Sequence, residues 1–135
     1  MNDFQKEVKD RIASNARDER LKSDAAAFMR SSIASQYSYN FSWLGRPIIQ
    51  YPQDMIAMQE LIWSIQPDLI IETGIAHGGS LIFSASMLEL NAACGGPQDA
   101  SVLGVDIDIR PHNRQAIEAH PLYRRIEMIQ GSSVA

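Results

Sequence analysis

The chain holds a single cysteine, Cys94, in 135 residues. One thiol excludes an internal disulfide and a cysteine-based zinc site, and it fits a reducing, cytoplasmic setting. Long apolar runs are also missing. No window approaches the roughly 18 residues a membrane span requires. The N-terminus is charged (Asp3, Lys6, Glu7, Lys9, Asp10, Arg11) rather than a signal-peptide core. There is no basic excess: 12 Lys and Arg face 16 Asp and Glu, for a net charge of −4, which speaks against a nucleic-acid partner. Internal repeats and low-complexity tracts are absent.

What is present is ordinary for one soluble domain: 45% hydrophobic and 21% charged residues. Phe4, Val8 and Ile12 recur four apart among charges, predicting an exposed amphipathic helix over about residues 3–21. Asp24 is expected to cap a second helix running through Ala25, Phe28 and Met29 and fading near Ser31 and Ser32. Residues 1–36 thus read as a helical arm for packing or dimerisation, and residues 37–135 as the main domain. Residues 37–51, with Tyr39, Phe41, Trp43, Gly45 and Pro47, read as an irregular loop that either covers the core or walls a pocket. A helix is predicted from Pro52 to a stop at Pro67, with Met55, Met58, Ile62 and Ile65 as its core face.

The segment from Asp68 to Ser80 carries the most information. A short apolar run (Leu69, Ile70, Ile71), suited to burial on both faces, ends at Glu72-Thr73-Gly74. The chain then passes Ile75-Ala76-His77 to Gly78-Gly79-Ser80 and a second apolar segment. This pattern predicts a buried strand, a tight turn, and a helix with one broad buried face (Leu81, Ile82, Ala85, Leu88, Ala92), stopped at Cys94-Gly95-Gly96-Pro97. Val102 to Val105 predicts a second strand ending at Asp106, residues 111–120 a helix, and Ile126 to Ile129 a third strand reaching Gly131-Ser132-Ser133. Alternating helices and strands predict an α/β, Rossmann-like parallel sheet with right-handed crossovers, preceded by N-terminal helices.

Ligands in such sheets sit beyond the carboxyl ends of the strands. Three strand ends are expected to converge there, at Glu72-Thr73-Gly74, Asp106-Ile107-Asp108 and Gly131-Ser132-Ser133. Gly74, Gly78 and Gly79 let a backbone approach a ligand closely. Ser80 adds a hydroxyl where free helix amides meet an anionic or carboxylate group. Asp106 suits the two hydroxyls of a ribose, whereas Asp108 is expected to cap the following helix. Three residues separate Gly74 from Gly78, unlike the dinucleotide fingerprint, and no phosphate-loop lysine follows. Both departures favour S-adenosylmethionine over nicotinamide dinucleotides or nucleoside triphosphates.

Trp43-Leu44-Gly45-Arg46-Pro47, the run from Gln50 to Met55, ETGIAHGGS (residues 72–80), VDIDIRPHNR (residues 105–114) and Ile129 to Ser133 together resemble the cephalosporin hydroxylase family, which includes rhamnosyl O-methyltransferases. The resemblance covers about residue 40 onward. It implies the first half of a class I S-adenosylmethionine-dependent methyltransferase fold, with O-methylation of a sugar or natural-product hydroxyl as the chemistry. By it, Gly74, Gly78, Gly79 and Ser80 would surround the methionine part, Glu72 would support the turn, Asp106 would hold the ribose and Ser132 would border the adenine. Thr73 and His77 lie in the motif without an assigned role. The oxygenase reading invited by the family name needs two histidines and a carboxylate. His77 precedes Gly78-Gly79, His112 precedes Asn113-Arg114 and His120 precedes Pro121-Leu122, so none is followed by the acid such a site uses, and each is expected at a turn or helix end.

The implied fold has seven strands and this chain supplies three, so a fragment, a truncated form or part of an intertwined oligomer is expected, with the first strand unpaired on one edge. Acids that would bind a divalent metal such as Mg and activate the acceptor would lie beyond Ala135, and no catalytic base is assigned. The leading expectation is therefore the cofactor-binding half of an O-methyltransferase, with a small-molecule substrate, no nucleic-acid or membrane partner and a possible homo-oligomer. The alternative is a non-catalytic binding or assembly module keeping that fold. A nucleotide-dependent oxidoreductase stands third, disfavoured by the glycine spacing.

Overall fold

A computed structural model describes residues 2–134. In order, its elements are α1 (Asp3–Asn15), α2 (Glu19–Ala34), a 3-10 turn (Tyr37–Asn40), β1 (Phe41–Trp43), β2 (Arg46–Ile48), α3 (Pro52–Ile65), β3 (Leu69–Thr73), α4 (Gly79–Ala93), β4 (Ser101–Asp106), α5 (Pro111–Glu118), a second 3-10 turn (Pro121–Arg125) and β5 (Ile126–Gln130). The chain divides into two compact units, Met1–Tyr37 and Ser38–Ala135. Among the described residues no helix is long and apolar enough to cross a membrane.

In the first unit, Asn2 and Gln5 form a reciprocal cap. The Asn2 side chain accepts from the Gln5 amide at 2.9 Å, and the Gln5 side chain accepts from the Asn2 amide at 3.0 Å. Two free donors of the first turn are satisfied at once. α1 stops at Asn15, short of the predicted Leu21, and α2 starts earlier than predicted. Its cap is Asp18, whose carboxylate accepts from the Leu21 amide at 3.0 Å. A cap must have extended backbone just ahead of the helix. Asp18 meets that condition at ψ 100. Asp24 lies inside α2 and instead faces Arg20 in an exposed pair.

In the second unit, β3, β4 and β5 form a parallel sheet in that order, with Leu69 opposite Ser101 and Val102 opposite Ile126. The alternating helices and strands match the expected architecture. Residues 37–51 are more regular than predicted: β1 and β2 pair antiparallel as a short hairpin, turning at Leu44 and Gly45, both at positive φ. Trp43 closes the core edge-on against Phe83, with ring centroids 5.1 Å apart, and its indole N–H donates to the Ser86 hydroxyl at 2.9 Å.

The core is organised around α4. Every residue from Leu81 to Leu88 is buried, not only one face as the periodicity predicts. The sheet, the hairpin, α3 and the second 3-10 turn all pack against it, so Phe83, Ser84, Ser86 and Met87 find cover that a surface helix lacks. At the far end Arg125, held by the Glu89 carboxylate at 2.6 Å, donates to the carbonyls of Gln98 and Ala100, tying α4 to the entry of β4.

The opposite sheet face is open. Leu69, Ile71 and Ile129 are 49%, 63% and 45% exposed, and β3 pairs on one side only. Burial of β3 on both faces is therefore not found: Ile70 is half-buried on the α4 side, while Leu69 and Ile71 stay exposed on the other. Leu88→Ala should cost about 2–5 kcal/mol in urea unfolding by opening a cavity in the packed core. Leu90→Ala, at a 57% exposed position on the same helix, should stay within about 0.5 kcal/mol.

Candidate functional site

The carboxyl ends of the three parallel strands lie side by side. The Gly74 amide donates to the Val105 carbonyl at 2.8 Å, and the Gly131 amide to the Asp106 carbonyl at 2.9 Å. Beside the first of these ends is a cavity of about 330 Å³. Glu72, Thr73, Gly74, Ile75, Ala76, His77, Gly79 and Ser80 line it from the strand–turn–helix segment. Pro47, Ile48, Ile49 and Gln50 supply a second wall, Asp54, Met55 and Met58 a third, and Phe83 and Ser84 its α4 side.

The turn between β3 and α4 is left-handed at three places, Gly74 (φ 86), Ala76 (φ 47) and Gly78 (φ 82). Gly78 precedes α4 without any side-chain cap. The first helical bond runs from the Ile82 amide to the Gly78 carbonyl, so the amides of Gly79, Ser80 and Leu81 lie ahead of the α-helical ladder, where helices carry partial positive charge. The three glycines differ in their reasons. A β-carbon on Gly74 would meet nothing within 4 Å, so this position is open to an approaching ligand. At Gly78 a β-carbon would overlap Ile117, and at Gly79 the backbone of Pro47 and Ile48. At these two positions the close approach of neighbouring chain is by itself a reason for glycine.

Asp106 holds the turn from the adjacent strand. One carboxylate oxygen accepts from the Ile75 amide at 2.6 Å and the Ala76 amide at 3.4 Å, and the other from the Asp108 amide at 3.0 Å. The amides of Asp108 and Ile75 hold its carboxyl below the usual carboxylate range. Asp108 does not cap α5. The residue ahead of that helix is Arg110, with no side-chain cap, and the amide of Asp108 is committed to Asp106.

Glu72 is half-buried at the end of β3 and accepts a hydrogen bond from the Ser80 hydroxyl. Burial pushes its carboxyl above the ordinary value, and the Ser80 bond partly offsets that.

Of the predicted site residues, Glu72, Gly74, Gly79 and Ser80 line the cavity. Asp106 acts on it through the Ile75 and Ala76 amides, and Gly78 through the packing of the turn. Ser132 lies apart, exposed, its hydroxyl accepting from the Val134 amide at 3.2 Å. Asp54 carried no signal in the sequence; of the core face predicted for α3, Ile62 is buried and Met55 packs on the core, whereas Met58 and Ile65 are 49% and 66% exposed. Their helical spacing was visible, but which face meets the β3 end depends on the packing of α3. The aromatic hairpin divides its roles, with Trp43 covering the core and Pro47 to Gln50 forming the cavity wall. Among the described residues no three His, Cys, Asp or Glu side chains gather as a metal-ligand set.

A parallel α/β sheet with a glycine-bearing strand–turn–helix and an acid at the next strand end defines a Rossmann-like fold. Within it, the chain belongs to the Rhamnosyl O-methyltransferase/CmcI family, whose match spans residues 35–135. A solved structure of CmcI with SAH aligns at 23% identity and TM-score 0.52, over 68% of this chain and 43% of that one. A CmcI structure with Mg-SAM aligns at 24% identity and TM-score 0.51, over 72% of this chain and 38% of that one. The chain thus spans less than half the length of these structures, and the likeness concerns the fold. No curated protein matches it.

Glu72→Gln tests the electrostatics of the cavity. The folded state favours the protonated carboxyl, so it binds more protons than the unfolded chain between the ordinary pKa of 4.5 and the raised one, and stability falls as pH rises through that interval. The substitution should therefore raise Tm at pH 7, and the gain should disappear as pH falls to 4.5. Thermal scans across that range check it.

Proposed function

We propose that the chain carries the S-adenosylmethionine-binding half of an O-methyltransferase acting on a hydroxyl of a sugar or another small natural product. In this reading residues 37–135 form the cofactor half and residues 1–36 a helical arm, in a cytoplasmic protein able to self-associate. Gly74, Gly78, Gly79 and Ser80 shape the niche for the methionine end, Glu72 fixes that niche through Ser80, and Asp106 accepts from the ribose hydroxyls. Ser132, past the end of β5, borders the adenine.

The observation that carries the reading is the cavity at the end of β3, open at Gly74 and flanked by the uncapped start of α4, in a chain of this family. Carboxylate recognition by free helix amides accounts for the amino-acid end of such a cofactor. The Ile75 and Ala76 amides occupy one Asp106 oxygen and the Asp108 amide takes one position on the other, so the sugar contact falls to that second oxygen. The cofactor supplies an electrophilic methyl carbon on a positively charged sulfur. The chain's part is to hold that group in line with an acceptor oxygen. The described acids do not assemble a metal site, so a divalent metal would take its ligands elsewhere, and no step here depends on one.

Calorimetry with S-adenosylhomocysteine tests the proposal directly. The chain should bind it saturably, and Asp106→Ala should weaken binding by about tenfold or more, the usual loss for charge-assisted hydrogen bonds. A folded chain that releases no heat with this ligand, or that saturates with NADH instead, would overturn the assignment.

A further inference from the structure

Ala76 occupies a left-handed conformation, φ 47, that a residue with a β-carbon rarely adopts. Such a residue stays there only if its surroundings hold it. From one side the holding group is Asp106, which engages the Ile75 and Ala76 amides. From the other side stand two residues outside the turn, Arg46 at the start of β2 and Asn113 in α5. The Asn113 side-chain amide donates to the Ala76 carbonyl at 2.8 Å. The Arg46 guanidinium donates twice to the His77 carbonyl, from Nε at 3.0 Å and from Nη2 at 2.6 Å, and once to Asn113 Oδ1 at 3.2 Å.

The arrangement is self-consistent. A guanidinium carries only donors, so the Asn113 oxygen must face it and the Asn113 nitrogen must face the carbonyl. Asn113 is 4% exposed, and a buried amide with both ends committed has little freedom to reorient. Two consecutive carbonyls are thereby turned toward β2 and α5. Because a trans peptide places its N–H opposite its C=O, the His77 amide is turned away from Asn113, and the Gly78 amide closes on the Ile75 carbonyl at 2.8 Å.

We propose that Arg46 and Asn113 are positioning residues that lock the peptide planes between Ala76 and Gly78, so that the cofactor niche exists before ligand arrives. The role rests on the methyl-donor reading of that niche and extends it to two residues that do not line the cavity. Preorganisation of this kind raises affinity by removing the cost of ordering a loop on binding.

Asn113→Asp isolates the effect. It keeps the shape and the acceptor used by Arg46, and strengthens that contact with a charge, but it sets a carboxylate oxygen against the Ala76 carbonyl. S-Adenosylhomocysteine affinity should fall about tenfold, and exchange of the Gly78 amide, followed by NMR, should accelerate relative to amides of β4, beyond whatever general loss of Tm the buried carboxylate brings. Adding Ala76→Gly should restore part of the affinity, because glycine takes the left-handed conformation without the β-carbon penalty. A role of Asn113 in docking α5 alone would lower Tm and would not respond to Ala76→Gly. Unchanged Gly78 exchange and unchanged affinity in Asn113→Asp and Arg46→Met would overturn the lock. Failure of the unaltered chain to bind S-adenosylhomocysteine would sink the methyl-donor reading instead, leaving Gly78 exchange to decide the lock by itself.

Discussion

Burial of α4 around its whole circumference from Leu81 to Leu88 is the constraint on which the second unit depends. That stretch has no solvent face along which to slide or rotate, because any shift would open voids against several neighbours at once. Its first residue, Gly79, is pressed against the Pro47 and Ile48 backbone, where a β-carbon would not fit. The start of α4 is therefore fixed relative to β2, and β3 is fixed relative to β4 by parallel pairing. The turn between them has both ends pinned before any ligand contact is considered.

With its ends set, the turn must still choose among backbone conformations, and polar contacts make that choice. Asp106 takes amides while Arg46 and Asn113 take carbonyls, so successive peptide groups are oriented from opposite sides. Glu72 contributes differently. Its half-buried carboxyl destabilises the fold when charged, yet it holds Ser80 at the first turn of α4 beside the cavity.

The two faces of the sheet are unlike. The α4 side is closed by Val102, Ile126 and the helix core, whereas the other side leaves Leu69, Ile71 and Ile129 in contact with water beside an unpaired edge of β3. An apolar face next to free backbone donors and acceptors is a site for association or aggregation. It lies on the far side of the sheet from the helix that builds the niche.

Local pattern in the sequence determined the order of strands and helices, the parallel sheet, the bend after Thr73 and the acid ending β4, because each depends on residues close together in the chain. Leu69 to Gly74 reads as a strand running into a turn without any distant partner, and Pro52 and Pro67 bracket α3 by their backbone chemistry alone. Tertiary structure decided what the glycines are for, which side of α3 faces the cavity and what holds Ala76. Gly78 answers to Ile117, Gly79 to Pro47, the Ala76 carbonyl to Asn113 and the His77 carbonyl to Arg46. These partners lie 31 to 39 positions away (117 − 78 = 39, 79 − 47 = 32, 113 − 76 = 37, 77 − 46 = 31). No periodicity reports such contacts, since they arise only when β2 and α5 close on the turn in three dimensions.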